Sequence, residues 1–340
     1  MADYRSRPVR DDTAATVGVL TVTMRRQKTE ATQGASVVPQ AAPSRLVASF
    51  SAAAQSNATT RSYDADIRHF KQHGGTIPAT PAATADYLAN FASSLSVATL
   101  QHRLIAIHRA HVDAGLPSPA KDQLVKRTMQ GIRRTLGVKQ RRVTALVKDD
   151  LLEMVVHIER QPPMRAARDK ALLLLGFAGA FRRSELVALM TDDIARYENG
   201  IELTIRRSKT DQEGLGRTVF IPYARGKRCP VKALDEWLTA SCIASGPLFV
   251  RVSRHDRIIG KHALTPQTVA LLVKSYVKKM RGEDAARHVA GHSLRAGYCT
   301  EAATAGLQPY QIREQTGHRS DVTLARYIRP VNKRKIPSLL

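Results

Sequence analysis

Hydrophobic positions in this chain recur mostly at intervals of three and four residues, the spacing of helices with one buried face. From Ser44 the pattern predicts a helix over RLVASFSAAAQ, capped by Ser44. A second is predicted over RSYDADIRHF, where Tyr63, Ile67 and Phe70 share a face and Thr60 is the capping residue. Thr80-Pro81, a cap followed by proline at the first helical position, opens AATADYLANFASSL. Ser96 opens VATLQHRLIAIHRAHVDAG, which ends at Gly115, and KDQLVKRTMQGIRRTL closes at Gly137. Residues 44–136 therefore predict a bundle of four or five helices. Residues 1–43, rich in Ala, Thr, Gln, Val and Pro without a lasting period, read as a mobile tail.

The stretch GVKQRRVTA, residues 137–145, is basic, carries no apolar period and predicts a linker. A larger second domain follows over residues 146–335, its first helix started by Asp149 and Asp150, with 336–340 left as a tail. Within it, LLEMVVHIER and MRAARDKALLLLGFAGAF predict helices. IELTIRR and GRTVFIP are β-rich runs joined by the polar SKTDQEGL, which predicts a hairpin. VKALDEWLTASCIASG, the short strand candidate PLFVRV and a helical run to the C-terminus complete the domain. The fold class is thus mainly α with a small β-sheet: a helical N-terminal domain followed by an α+β domain.

Charge narrows the function. Lys and Arg outnumber Asp and Glu 53 to 29, a formal net charge of +24, which points to a polyanionic partner, most commonly nucleic acid. A membrane surface is the rival reading, but the basic residues are scattered through helical segments and form no juxtamembrane block. The longest apolar run, Ala171 to Phe181, is too short to span a bilayer, and MADYRSRPVRDD lacks the apolar core of a secretory signal. Cys229, Cys242 and Cys299 are odd in number and lack CxxC spacing, so neither a disulfide framework nor a zinc site is expected; a reduced cytoplasmic, nucleoid-associated setting is. Aromatics make up only 5% of the chain, which favours duplex DNA held through its phosphates over stacking on single strands.

Four places can carry chemistry. In FRRSEL, residues 181–186, Arg182 and Glu185 lie three apart after the most apolar helix; an arginine oriented by a carboxylate can hold a phosphate, and an i,i+3 surface ion pair is the plainer alternative. Lys209, in the hairpin tip RRSKTD, can deliver a proton to a substrate or can simply be a solvated turn charge. His292 and Arg295, in GHSLRAG, fall around a first helical turn that favours an anion, with Ser293 as its cap. A metal pair of His288 with His292 has the i,i+4 spacing but lacks the HExxH glutamate and a third ligand. Gly317 closes PYQIREQT and leaves His318 exposed on a turn; Ser320 caps DVTLARYI, placing Tyr327 in its second turn, where it is either a reactive phenol or core packing. Together, two guanidiniums, an ammonium and two imidazoles suit in-line attack on a phosphodiester without a metal, by a phenol that must be activated by neighbouring cations or by an imidazole accepting its proton.

This set resembles the tyrosine recombinase (phage integrase) family, and GHSLRAG is most similar to its Cre-type members. The family's first box, Arg-x-(Ser/Ala)-Glu after an apolar helix, matches Arg182-Arg183-Ser184-Glu185 and selects Arg182 over Arg183. The hairpin lysine falls on Lys209, the His-x-x-Arg box on His292 and Arg295, and the Leu-Gly-His turn on Thr316-Gly317-His318; the nucleophile nine residues past that histidine is Tyr327. The resemblance covers residues 145–330, with Phe181 in place of the usual Leu and Ser293 in place of the commoner Asp. It implies a core-binding (SAM-like) helical domain before a catalytic domain, and no cofactor. It also implies duplex DNA with inverted-repeat half-sites as partner, a DNA-bound homotetramer, and strand exchange through a Holliday junction. The roles implied are attack by Tyr327, phosphate contacts from Arg182, Arg295 and His318, base or phosphate donor from His292, leaving-group acid from Lys209, and orientation of Arg182 by Glu185. The terminal IPSLL is a short candidate for docking on a neighbouring protomer. A type IB topoisomerase-like or telomere-resolving enzyme would share this chemistry with another outcome, and a silent DNA-binding regulator would share only the scaffold.

Overall fold

The computed structural model of the chain describes residues 44–138, 143–208, 211, 214–226 and 228–334. The predicted tail 1–43, Lys209 and the terminal IPSLL lie outside the described residues. The chain separates into two compact units, one ending at Val138 and the other starting at Lys139.

The first unit holds five helices: α1 (Arg45–Ala53), α2 (Asn57–Gln72), α3 (Pro81–Asn90), α4 (Val97–Asp113) and α5 (Gln123–Leu136). Ser44, Thr80 and Ser96 cap α1, α3 and α4 by accepting from backbone N–H groups three residues on. Thr60 is not a cap. Ser56 caps α2 through Thr59 N–H, and Thr60 instead lies in the first turn and turns its hydroxyl back to the Ser56 carbonyl. Phe70, Leu88, Leu100, Ile107, Val125 and Met129 form the core.

The second unit begins with α6 (Lys148–Ile158), whose start is closed by Asp150 Oδ2 accepting from Val147 N–H at 2.9 Å. Next comes α7 (Pro163–Ala178), buried on all sides from Ala171 to Leu175, and the short α8 (Arg183–Ala188). The predicted helix through Phe181 therefore stops three residues early. Gly179 caps it, and Ala180 takes φ 48°. A three-stranded antiparallel sheet follows, β1 (Ile194–Tyr197), β2 (Gly200–Ile205) and β3 (Arg217–Pro222), in the order β1-β2-β3. The hairpin predicted from IELTIRR and GRTVFIP is β2–β3, with Leu203 opposite Val219 and Ile205 opposite Arg217. The sequence pattern missed β1, because it is short and largely exposed.

Helix α9 (Pro230–Ser241) packs on α7, and Trp237 at its centre is fully buried with Nε1 donating to the Leu248 carbonyl at 2.8 Å. The strand predicted in PLFVRV is β4 (Val250–Val252), and its partner β5 (Ile258–Ala263) was not predicted. Four helices close the unit: α10 (Pro266–Arg287), broken at Gly282 (φ 85°), α11 (Ser293–Thr304), α12 (Pro309–Thr316) and α13 (Asp321–Arg334). No helix among the described residues is long and apolar enough to cross a membrane. Leu172, Leu173, Ile201, Leu234, Phe249 and Val273 share one core, each worth about 1.5–3 kcal/mol on burial, and the candidate site is built on its edge.

Candidate active site

The site begins where α7 ends. A Cβ on Gly179 would fall 2.2 Å from the Phe181 ring, so only glycine lets Phe181 fold back under the helix. Ala180 is left-handed, a conformation that costs a non-glycine residue about 1 kcal/mol, and it turns its carbonyl to accept from Arg295 Nη1 at 2.8 Å.

Arg182 is the N-cap of α8 and does not share a helical face with Glu185, as the three-residue spacing suggested. The two meet because Glu185 occupies the third helical position. Its Oε2 accepts from Arg182 N–H at 2.9 Å and its Oε1 from Arg182 Nη1 at 2.6 Å. This is no surface pair: the Glu185 side chain is 1% exposed. Arg182 Nη2 donates to the Gly317 carbonyl at 3.3 Å, which ties the first box to the turn that carries His318.

Arg217, which motif spacing did not single out, is a third guanidinium here. Its Nη2 donates to Glu185 Oε2 at 3.4 Å and its Nη1 to the Gln315 carbonyl at 3.0 Å. One signal existed. In β3 Arg217 lies two and four residues before the buried Val219 and Ile221, so period-two alternation puts an arginine at an inward position. Burial lowers its proton affinity and Glu185 opposes that shift.

Arg295 is fully buried. Burial, then the neighbouring Arg182, push its guanidinium down to about 10, so it stays charged at neutral pH. Nη1 is taken by Ala180, while Nε and Nη2 have no partner among the described residues. Two buried charge-bearing donors without an acceptor are costly and fit an anion.

His292 is itself the N-cap of α11, and Ser293 stands one position inside the helix. Ser293 Oγ accepts from Ala290 N–H at 3.0 Å, so its hydroxyl serves the preceding turn and caps nothing in α11. His292 Nε2 is 2.6 Å from Tyr327 Oη. Burial first, then Arg295, Arg182 and Arg183, push His292 down to about 4, and burial raises the Tyr327 phenol. At neutral pH the pair is therefore a neutral imidazole facing a protonated phenol, and in the imidazole tautomer with its hydrogen on Nδ1 Tyr327 donates to a free Nε2.

His318 is not exposed on its turn. Its relative exposure is 8%, because Gly317 (φ 65°) ends α12 in a left-handed turn that folds the ring back onto Thr316. Its Nδ1 lies 2.8 Å from Thr316 Oγ1, and its ring centroid is 6.0 Å from that of Tyr327. Burial, then Arg295, Arg182, His292 and Arg217, push it down to about 3. Ser320 Oγ accepts from Val322 N–H at 3.2 Å at the start of α13, and Tyr327 packs against the cluster of Cys299, Ile312 and Leu324.

Six sequence-predicted residues, Arg182, Glu185, His292, Arg295, His318 and Tyr327, are thus gathered at one place. Lys209 is not among the described residues. The loop that follows it is organised by Asp211, whose carboxylate accepts from the N–H groups of Gly214, Leu215 and Gly216 at 2.8–3.1 Å. The arrangement offers an anion the unpartnered Nε and Nη2 of Arg295, a phenol to attack it and a neutral imidazole to take the phenolic proton.

Comparison with known proteins gives the same reading. The phage integrase family profile matches residues 144–334. An integrase/recombinase XerD homolog of Selenomonas ruminantium is 36% identical over 284 residues, 81% of this chain and 82% of that protein. The recombinase Cre of Escherichia phage P1 is 25% identical over 269 residues, 74% of this chain and 76% of that protein. Among solved structures, the XerH site-specific recombinase bound to palindromic difH substrate superposes with a TM-score of 0.58 at 19% identity, over 75% of this chain and 70% of that one, a likeness of fold. With the profile matched over residues 144–334, across the cationic site described above, and a relative 36% identical over most of its length, the chain belongs to the phage integrase family of tyrosine recombinases.

Proposed function

We propose that this protein is a site-specific DNA recombinase that cuts and rejoins duplex DNA through a 3′-phosphotyrosyl intermediate on Tyr327. The observation that carries the reading is the 2.6 Å contact of the Tyr327 hydroxyl with a neutral His292, beside a buried Arg295 that keeps two donors free. As the Tyr327 oxygen forms its bond to phosphorus, its proton passes to His292 Nε2. Arg182 and Arg295 take the charge that grows on the non-bridging oxygens, where each such donor is worth about 10²–10³ in rate. The P–O5′ bond breaks, and Lys209 gives the leaving oxygen its proton. One phosphate ester replaces another, so the partner strand's 5′-hydroxyl can reverse the step without ATP or a metal.

Residues 44–136 act as the core-binding domain and 146–335 as the catalytic domain in this reading, with base contacts from helices such as α4. The palindromic substrate of XerH supports inverted-repeat half-sites, and exchange between two such sites calls for four protomers and a Holliday junction.

Duplexes selected from a randomised library by covalent capture on the wild type provide the substrate. On a nicked version that traps the adduct, Tyr327→Phe is expected to retain DNA binding and form no covalent complex. An adduct in that variant overturns the assignment, and relaxation of supercoils without exchange between two sites identifies a topoisomerase.

A further inference from the structure

We propose that Thr316 is a positioning residue that holds His318 as its Nδ1–H tautomer, so that His318 meets the scissile phosphate with a bare Nε2 and becomes a phosphate donor only by taking up a proton as DNA docks. The inference rests on the recombinase reading above.

The argument is a count of hydrogens. Thr316 is fully buried at the end of α12, and its Oγ1 makes two short contacts, 2.6 Å to the Ile312 carbonyl and 2.8 Å to His318 Nδ1. A carbonyl oxygen only accepts, and a threonine hydroxyl carries one hydrogen. At 2.6 Å two oxygens with no hydrogen between them would repel, so the hydroxyl hydrogen belongs to the Ile312 contact. The second contact then needs its own hydrogen, and His318 Nδ1 is the only atom that can supply it. A neutral imidazole with hydrogen on Nδ1 has a lone pair on Nε2.

The surroundings keep that imidazole neutral while the site is empty. His318 faces Arg182 from the turn before α8, Arg217 from β3, Arg295 and His292 from the start of α11, and the Tyr327 ring from α13. The nearby carboxylate, Glu185, is engaged by Arg182 and Arg217. On α12 itself, Arg313 pairs with Asp321 at the surface. A phosphodiester oxygen has no hydrogen to give, so the bare Nε2 has nothing to bond with it. The anion that arrives offsets part of the local positive charge, and one proton is drawn from solvent onto Nε2, which then donates a charge-assisted bond. A leucine at position 316, as in the Leu-Gly-His turn to which this segment is similar, would have no acceptor to offer Nδ1.

The test combines one spectroscopic and two functional readouts on the full chain. Nitrogen-15 correlation of the histidine rings without DNA, with His318 assigned by the signal lost in His318→Gln, is expected to show Nδ1–H in the wild type and in Thr316→Ser. In Thr316→Val the signal moves toward Nε2–H. Calorimetry of DNA binding in buffers of different ionisation enthalpy is expected to show about one more proton taken up per bound protomer in wild type than in Thr316→Val, with Thr316→Ser matching wild type. Above the bound-state pKa of His318 the rate of adduct formation falls by about tenfold per pH unit in the wild type, and this limb flattens in Thr316→Val. An Nε2–H signal in the free wild type overturns the proposal. So does equal proton uptake in wild type and Thr316→Val. Should Thr316→Val fail to fold, the wild-type tautomer and the Thr316→Ser comparison still decide. A normal Tyr327 adduct with the wrong tautomer sinks this inference alone, whereas an adduct in Tyr327→Phe sinks the recombinase reading.

Discussion

Replacing Glu185 with glutamine removes the one carboxylate that two guanidiniums share while keeping shape and an acceptor oxygen. In the wild type Glu185 is 1% exposed and bonds Arg182 Nη1 at 2.6 Å and Arg217 Nη2 at 3.4 Å. At an effective dielectric near 20, opposite charges about 4 Å apart attract by about 4 kcal/mol, and removing one member of a buried pair costs about 3–5 kcal/mol. Glutamine keeps part of the bonding to Arg182, which leaves a loss of about 2–3 kcal/mol. For a unit of this size that is a drop in Tm of about 4–12 °C. The charge argument adds a sharper expectation. In Glu185→Gln the three guanidiniums repel without compensation, and a bound phosphate supplies the missing negative charge. Calorimetric melting of wild type and variant, alone and with duplex DNA at low salt, should therefore show a deficit that shrinks when DNA is present. An equal deficit in both states, or none in either, refutes the account of Glu185 as the counter-charge of the empty site.

Arg182→Ala is expected to slow adduct formation by about 10²-fold or more, whereas Arg183→Ala, whose side chain lies against Gly291, should retain most activity; the reverse ranking in single-turnover cleavage would show that the neighbouring arginine holds the phosphate. His292 and His318 both have proton affinities below the ordinary imidazole value of 6.5, at about 4 and about 3, so the unfolded chain binds the more protons across that interval. Their contribution to stability is present above pH 6.5 and lost as pH falls toward 4 and 3; urea denaturation across pH 7 to 4 should show a decline that His292→Gln and His318→Gln each reduce. Gly297→Ala places a Cβ 1.7 Å from the Leu146 carbonyl oxygen, a clash with backbone that should lower Tm by several degrees, and an unchanged melting curve would refute that packing.

What the sequence revealed of the site was what is both local and chemically unusual. Arg182 and Glu185 are three apart, His292 and Arg295 three apart, and Tyr327 nine past His318, so their spacing alone could be matched to a pattern. What it concealed depends on contacts between distant segments. Arg217 is one arginine among many until β3 pairs with β2 and turns it toward Glu185. The burial of His318 depends on the left-handed Gly317, and a Cβ there would fall 2.7 Å from Arg217 Nε. Ser293 has the composition of a cap, yet the turn before it claimed its hydroxyl, and Ala180 gives no compositional hint of a positive φ. Helices with long amphipathic runs were legible for the same local reason, whereas β1 and β5 were too short or too exposed to leave a period.

The short bond between Tyr327 and His292 joins two residues of a single polypeptide. If Tyr327 attacks and His292 accepts its proton, as proposed, attacker and base travel together, and no borrowed phenol has to arrive from a neighbouring subunit before scission. Under that proposal an isolated copy already carries both, so any control over the order in which strands are cut must come from something other than completing this pair.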